Sequence, residues 1–234
     1  MFLAKHGDAI VINVDKNWKR IGISLSGGAD SALLAYLILK ETSADIYLTT
    51  QIRMWKTRPW QRHIAKEVVA WLCNKFNNHI EHIEGFIPPE LEEPISPLIK
   101  DEYGADKPGN RIILRAHNEW VAHTYNLDAW FAAVNKNPTT DIPGALVERN
   151  EGALPLHMVH MGIDILHPFV YTMKDEIIKQ YYKNNIEDLL NITRSCEGEF
   201  ENINYKTYTP GQYVPICGEC FWCKERAWAI EQSK

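Results

Sequence analysis

The chain has 234 residues, 45% of them hydrophobic and 24% charged, with 25 Lys and Arg against 30 Asp and Glu for a formal net charge of −5. That is enough chain for one α/β domain with a proper core and a small appendage, and the composition excludes disordered and fibrous classes. The acidic balance argues against a general nucleic-acid binder, and the lack of any 18-residue apolar run argues against a membrane span.

Lys5, His6 and Asp8 interrupt the apolar N-terminal residues, so no signal peptide is expected there. The expected compartment is cytoplasmic, where thiols stay reduced and clustered cysteines read as metal ligands or catalytic groups before disulfides. "AIVINV" (9–14) and "RIGISL" (20–25) are short and rich in β-branched residues. Both predict strands, joined as a hairpin through the turn-like "DKNWK". The second feeds "SGGADS" (26–31), after which Leu33, Leu34, Leu37 and Ile38 recur at helical spacing to about Lys40.

"DIYLTT" (45–50) predicts a buried strand. Residues 60–76 predict an amphipathic helix with Ile64, Val68, Trp71, Leu72 and Phe76 on one side. Cys73 on that helix reads as a buried small apolar residue. "HIEHIEG" (79–85) reads as a short strand. Residues 86–110 hold five of the chain's twelve prolines and read as a long loop of the kind that is often functional. A helix is expected over 111–125, a strand over 128–134, a loop to about 152, a strand over 164–169 and two short helices in 174–190. This alternation predicts a parallel sheet with helices on both faces.

In such a sheet ligands bind beyond the carboxyl ends of the strands, and "SGGADS" falls at one. Two readings of it stand side by side. Gly27 and Gly28 could simply make a strand-to-helix turn. Alternatively, they could bring backbone N–H groups at a helix start close to phosphate, with Ser26 and Ser31 adding hydroxyl donors. Asp30 would repel phosphate unless magnesium lies between them or it caps the helix. No Gly-Lys-Ser/Thr follows, so this is not the P-loop of motor and switch ATPases.

Cys217, Cys220 and Cys223 are three apart, and Cys196 stands 21 residues before the first. Four thiolates satisfy tetrahedral zinc and leave no position for water, so the site reads as structural. His157 and His160 in "HMVH" are read as incidental, and Trp55 and Trp60 as packing residues rather than ring-stacking ones.

Ser-Gly-Gly-x-Asp-Ser after a first strand resembles the signature of the PP-loop ATP pyrophosphatases. Together with "TRSC" (193–196) and "CGECFWCKER" (217–226), it resembles the 7-cyano-7-deazaguanine synthase family. "QRH" (61–63), the Asn110-Arg111 helix start and "HPFVYTMKDEI" with Lys174 agree with it more loosely. The resemblance implies a Rossmann-like parallel sheet as a PP-loop domain over residues 1–190, and a small C-terminal zinc-binding subdomain over 191–234 packed on it.

For activity, the resemblance implies an ATP-dependent ligase that adenylates the heterocyclic carboxylate 7-carboxy-7-deazaguanine. With ammonia the enzyme would carry it through an amide to the nitrile, releasing AMP and pyrophosphate. The cofactors implied are ATP, Mg2+ and Zn2+. Asp30 and Lys174 would be catalytic, and Ser26, Gly27, Gly28, Asp30, Ser31 and Arg53 would hold ATP. Arg111 and Arg149 would meet the deazapurine acceptor, and Cys196, Cys217, Cys220 and Cys223 would bind zinc. A homodimer is left open. The segment 134–150 departs from the family, keeping only Asn135, an Asp-x-Pro-Gly and Arg149 in echo. A PP-loop enzyme acting on another acceptor (tRNA thiolation or amide formation) and an inactive nucleotide-binding module are the alternatives.

Overall fold

The computed structural model describes residues 3–6, 9–53, 60–87, 98–100, 106–136, 155–196 and 216–233. Its centre is a six-stranded sheet. β3 (Arg20–Ser24), β4 (Asp45–Arg53), β5 (Ile80–Ile87), β8 (Ala129–Phe131) and β10 (Ile163–Leu166) run parallel, and β9 (His157–His160) closes one edge antiparallel to β10. The order across the sheet is β5-β4-β3-β8-β10-β9. From β3 the chain first moves outward through β4 to β5, then returns to place β8 on the other side of β3. The strand order therefore reverses beside β3, the place at the carboxyl ends where open α/β sheets bind ligands.

This reversal also decides which face each helix covers, because parallel crossovers are right-handed. α1 (Ala29–Glu41) and α2 (Gln61–Lys75) make the outward crossovers and lie on one face. There Ile21, Ile23, Ile46 and Leu48 pack with Leu34, Ile38, Val68 and Leu72 in the main core. α3 (Gly109–Thr124) returns across the other face, where Tyr47, Ile83, Val121, Leu127 and Trp130 form a smaller core. α4 (Lys174–Lys183), α5 (Glu187–Ile192) and α6 (Phe221–Glu231) join the first face through Ile177, Tyr181, Leu189 and Ala229. Helices thus cover both faces of an α/β sheet, as the alternation predicts. No helix among the described residues is long and apolar enough to cross a membrane.

Four local expectations are corrected. Ala9–Ile12 (β2) does not pair with β3. It pairs antiparallel with Leu3–His6 (β1), because both sides of β3 are taken by β4 and β8. Second, β9 was not foreseen. It forms a hairpin with β10 across Met161 and Gly162, whose φ values of 51° and 79° are those a tight hairpin turn requires, and methionine gives no turn signal. Third, within the expected 86–110 loop, Leu98–Lys100 (β6) and Asp106–Pro108 (β7) form a small antiparallel pair, and α3 starts two residues early at Gly109. Finally, Cys73 is exposed, because the buried stripe of α2 runs Ile64, Ala65, Val68, Leu72 and position 73 falls off it.

Candidate functional site

Ser26 to Ser31 connects β3 to α1 at this reversal. Gly27 takes φ +78°, a conformation that costs an L residue about 1–2 kcal/mol. A Cβ there would also stand 3.2 Å from the backbone nitrogen of Ala65 on α2. The hydroxyls of the two serines close a circuit inside the loop. Ser31 Oγ donates to the Gly28 carbonyl at 3.1 Å and accepts from the Ser26 N–H at 3.1 Å. Ser26 Oγ, 3.1 Å from Ser31 Oγ, accepts from the Gly28 N–H at 3.2 Å. Each hydroxyl has one proton, and the circuit uses both. The serines therefore shape the loop rather than present free O–H donors. What remains for an anion is the first-turn N–H groups of α1, which have no intrahelical acceptor, and the positive end of its dipole.

Asp30 does not cap α1; Gly28 is the N-cap and no side chain fills that role. Instead both Asp30 oxygens accept from Lys174 Nζ, at 2.8 and 2.6 Å. Lys174 is the first residue of α4, and its side chain is 4% exposed while that of Asp30 is 21% exposed. A solvated lysine at a helix start is thereby excluded. Two turns further along α4, the fully buried Tyr181 donates its hydroxyl proton to the Ala29 carbonyl at 2.6 Å. α4 thus grips the loop at two points.

The segment after α5 forms the wall behind the loop. The Arg194 N–H donates to the Gly27 carbonyl at 3.0 Å. Two residues on, the carbonyl of Cys196 accepts from Trp60 Nε1 at 2.9 Å, so Trp60 is a packing residue, as its sequence reading holds. Arg226 on α6 donates to Thr193 Oγ1 at 2.8 Å and to the Leu190 carbonyl at 2.7 Å, tying α6 to the same segment. The sequence carried no signal for the role of Arg226, which acts through backbone and hydroxyl groups more than 30 residues away in the chain.

Cys196, Cys217, Cys220 and Cys223 converge, with all four sulfurs within 4.8 Å of one another. Cys217 Sγ lies 3.5 Å from Cys196 Sγ and 3.9 Å from Cys223 Sγ. A tetrahedral ion with bonds of about 2.3 Å sets sulfurs about 3.8 Å apart, so the cluster is sized for one ion. An iron–sulfur cubane, in which each cysteine holds its own iron, needs its sulfurs further apart. Burial raises the Cys217 thiol, but the Cys220 and Glu219 N–H groups and the neighbouring thiols outweigh it and bring it down to about 7. Cys223 is pushed up, first by burial and then by Cys220. Packed thiols that cannot all ionise together are what a bound cation relieves.

The remaining candidates are spread more widely. Arg53 is the last residue of β4 and Arg111 stands in the first turn of α3, while Arg149 lies outside the described residues. His157 and His160 are held by carboxylates, Asp164 at 2.6 Å and Glu119 at 2.8 Å.

The chain matches no family model and no curated protein. Its fold is similar to several solved structures. One is phosphoadenylyl-sulfate (PAPS) reductase from Candida auris in a phosphate complex, with 11% identity and a TM-score of 0.44 over 78% of this chain and 82% of that one. Another is the U34-tRNA thiolase NcsA from Methanococcus maripaludis with its [4Fe-4S] cluster, with 12% identity and a TM-score of 0.44 over 91% of this chain and 64% of that one. A third is NMN synthetase from Francisella tularensis, with 15% identity and a TM-score of 0.49 over 93% of this chain and 88% of that one. These likenesses are remote, and the site is read from its own geometry.

Removing one partner of a buried ion pair strands the other charge, at about 3 kcal/mol. Lys174→Ala is therefore expected to lower the urea-unfolding free energy by about that much, and Lys174→Met with Asp30→Asn to restore most of it. A Lys174→Ala protein within about 0.5 kcal/mol of the parent contradicts the pairing.

Proposed function

We propose that the chain is an ATP pyrophosphatase of the PP-loop kind. On this reading it adenylates 7-carboxy-7-deazaguanine and converts it with ammonia to the nitrile 7-cyano-7-deazaguanine. The observation that carries the ATP part is the glycine loop at the strand-order reversal with the buried Lys174–Asp30 pair at its mouth. The choice of acceptor rests on the sequence likeness around Ser26–Ser31, Lys174 and the four cysteines.

The backbone N–H groups at the start of α1 hold the β- and γ-phosphates, where oriented donors stabilise the charge that develops on the leaving pyrophosphate. Magnesium at Asp30 would neutralise phosphate charge. With Asp30 holding that ion, the ammonium of Lys174 would be free to turn to the phosphate oxygens. A carboxylate is a poor electrophile. Its oxygen attacks the α-phosphorus and expels pyrophosphate, and ammonia then displaces AMP to give an amide. Activation of the amide oxygen by a second ATP, followed by loss of AMP and a proton, leaves the nitrile. Arg53, Arg111 and Arg149 are assigned to phosphate or acceptor contact. The chain's part is positioning and electrostatics.

The four cysteines would hold a structural zinc, which contributes folding free energy directly and fixes Cys196, two residues from the Arg194 N–H that holds Gly27. Thiolation through a free cysteine has little support. Cys73 is exposed and lies nine residues along α2 from Ile64, about 13 Å by helical rise from the residue that abuts the loop.

Incubation with ATP, ammonia and 7-carboxy-7-deazaguanine is expected to yield AMP, pyrophosphate and the nitrile, read by chromatography and mass spectrometry. ADP as the product contradicts the pyrophosphatase reading. AMP formed only with a different carboxylate or a tRNA rejects the nitrile and keeps the adenylation. Protein purified without chelator is expected to hold about one zinc per chain. Cys220→Ser should lower both the zinc content and the thermal midpoint, and absence of zinc from the parent counts against the site.

A further inference from the structure

The face of the sheet under α3 carries polar side chains that the loop chemistry does not use. Residues alternate along β4, so Thr49 and Gln51 share the face of Tyr47, which packs against Val121 and Trp130. Gln51 is 9% exposed, yet among the described residues neither its amide oxygen nor its amide nitrogen has a hydrogen-bond partner. Thr49 Oγ1, His117 Nε2 and Asn118 Oδ1 are likewise buried without partners among the described residues. Leaving one such group unpaired costs about 1–3 kcal/mol, and native proteins keep few of them without a reason.

The amide sits in room left by a missing side chain. Gly85 faces Gln51 in the β4–β5 register. A Cβ on Gly85 would lie 2.6 Å from Gln51 Oε1, 2.8 Å from its Nε2 and 2.8 Å from His117 Cδ2. The amide and the imidazole therefore meet over a glycine. Burial holds the His117 pKa below its ordinary value, so at neutral pH the ring offers one donor and one acceptor. The patch is also tied to the loop. Leu25, the residue before it, donates its N–H to the Thr49 carbonyl at 2.7 Å, and the Leu25 carbonyl accepts from Thr50 Oγ1 at 2.8 Å. Gln51 thus stands one strand from the glycine loop, at the carboxyl edge.

We propose that Gln51, with His117 across Gly85, reads the hydrogen-bonding edge of a planar nitrogen heterocycle bound beside the glycine loop. A primary amide presents a donor and an acceptor side by side, the complement of a ring edge that carries an adjacent acceptor and donor. Adenine and a deazaguanine both carry such an edge. The assignment rests on the loop being the phosphate site of the same ligand or of its reaction partner.

Gln51→Leu separates recognition from structure. Leucine has a similar volume and removes two unpaired buried polar atoms, so the variant is expected to unfold in urea at the same concentration as the parent or higher. Binding would be measured by calorimetry with three probes: ATP with magnesium, 7-carboxy-7-deazaguanine, and inorganic pyrophosphate. The variant is expected to lose at least about tenfold affinity for one of the two heterocycles, the loss of one good hydrogen bond, with pyrophosphate binding unchanged. Loss confined to ATP identifies the ring as adenine; loss confined to the deazaguanine identifies it as the acceptor. Unchanged affinity for both, or a marked fall in the urea midpoint, overturns the inference. A parent protein that binds pyrophosphate but neither heterocycle overturns it too, while leaving the loop reading in place.

Discussion

The buried ion pair between Lys174 and Asp30 is the interaction on which the rest of the site depends. Its carboxylate stands in the first turn of α1 and its ammonium on the first residue of α4, 144 positions later in the chain. A pair whose ammonium is buried adds little to stability by itself, because desolvation offsets most of the Coulomb gain. Its effect is geometric: it fixes the start of α4 against the start of α1, with the Tyr181 hydroxyl bonded to the Ala29 carbonyl as a second point of contact. It also keeps a lysine dry and charge-balanced at the mouth of a loop suited to anions. An ammonium held in this way is kept charged and close to the loop, with one partner to exchange.

A second constraint is the reversal of strand order beside β3. With β4 on one side and β8 on the other, the loop after β3 lies at the point where strand order reverses, with packed helices behind it. The C-terminal part of the chain supplies the wall behind the loop. Arg194 bonds to Gly27, Cys196 to Trp60, and Arg226 to Thr193 and Leu190. The cysteine cluster and the glycine loop are therefore one connected structure. A metal that fixes Cys196 also fixes the wall against which Gly27 adopts its left-handed conformation, without touching a ligand itself.

Much of this was legible in the sequence because it depends on local chemistry. The strand, Ser-Gly-Gly-x-Asp-Ser and helix succession announces a loop at a carboxyl edge, and the Cys-x-x-Cys-x-x-Cys run with Cys196 upstream announces a thiolate cluster. The apolar periodicity of residues 20–40, 45–76 and 111–125 places the central elements to within a few residues. What escaped is what only tertiary structure decides. Nothing near Ala9 tells that β3 has both sides occupied, so the hairpin partner was misassigned. Met161 carries no turn signal, so β9 was missed. Cys73 lies one residue from the buried Leu72, a distinction of about 100° around a helix. The serines read as phosphate donors because their hydroxyls' mutual bonds cannot be foreseen from spacing. Lys174 drew attention only through a family likeness, since a lysine at a helix start is ordinarily solvated. Gln51 and His117 lie 66 residues apart in sequence and meet only because Gly85 leaves room between them.

The central claim is that the loop and the ion pair form one phosphate site in which Lys174 changes partners. The most direct measurement is a crystal structure of the protein with ATP and magnesium. The account predicts the β- and γ-phosphates on the backbone N–H groups at the start of α1, with Lys174 Nζ moved from Asp30 to a phosphate oxygen. Phosphates bound elsewhere, with Lys174 still on both oxygens of Asp30, would contradict it.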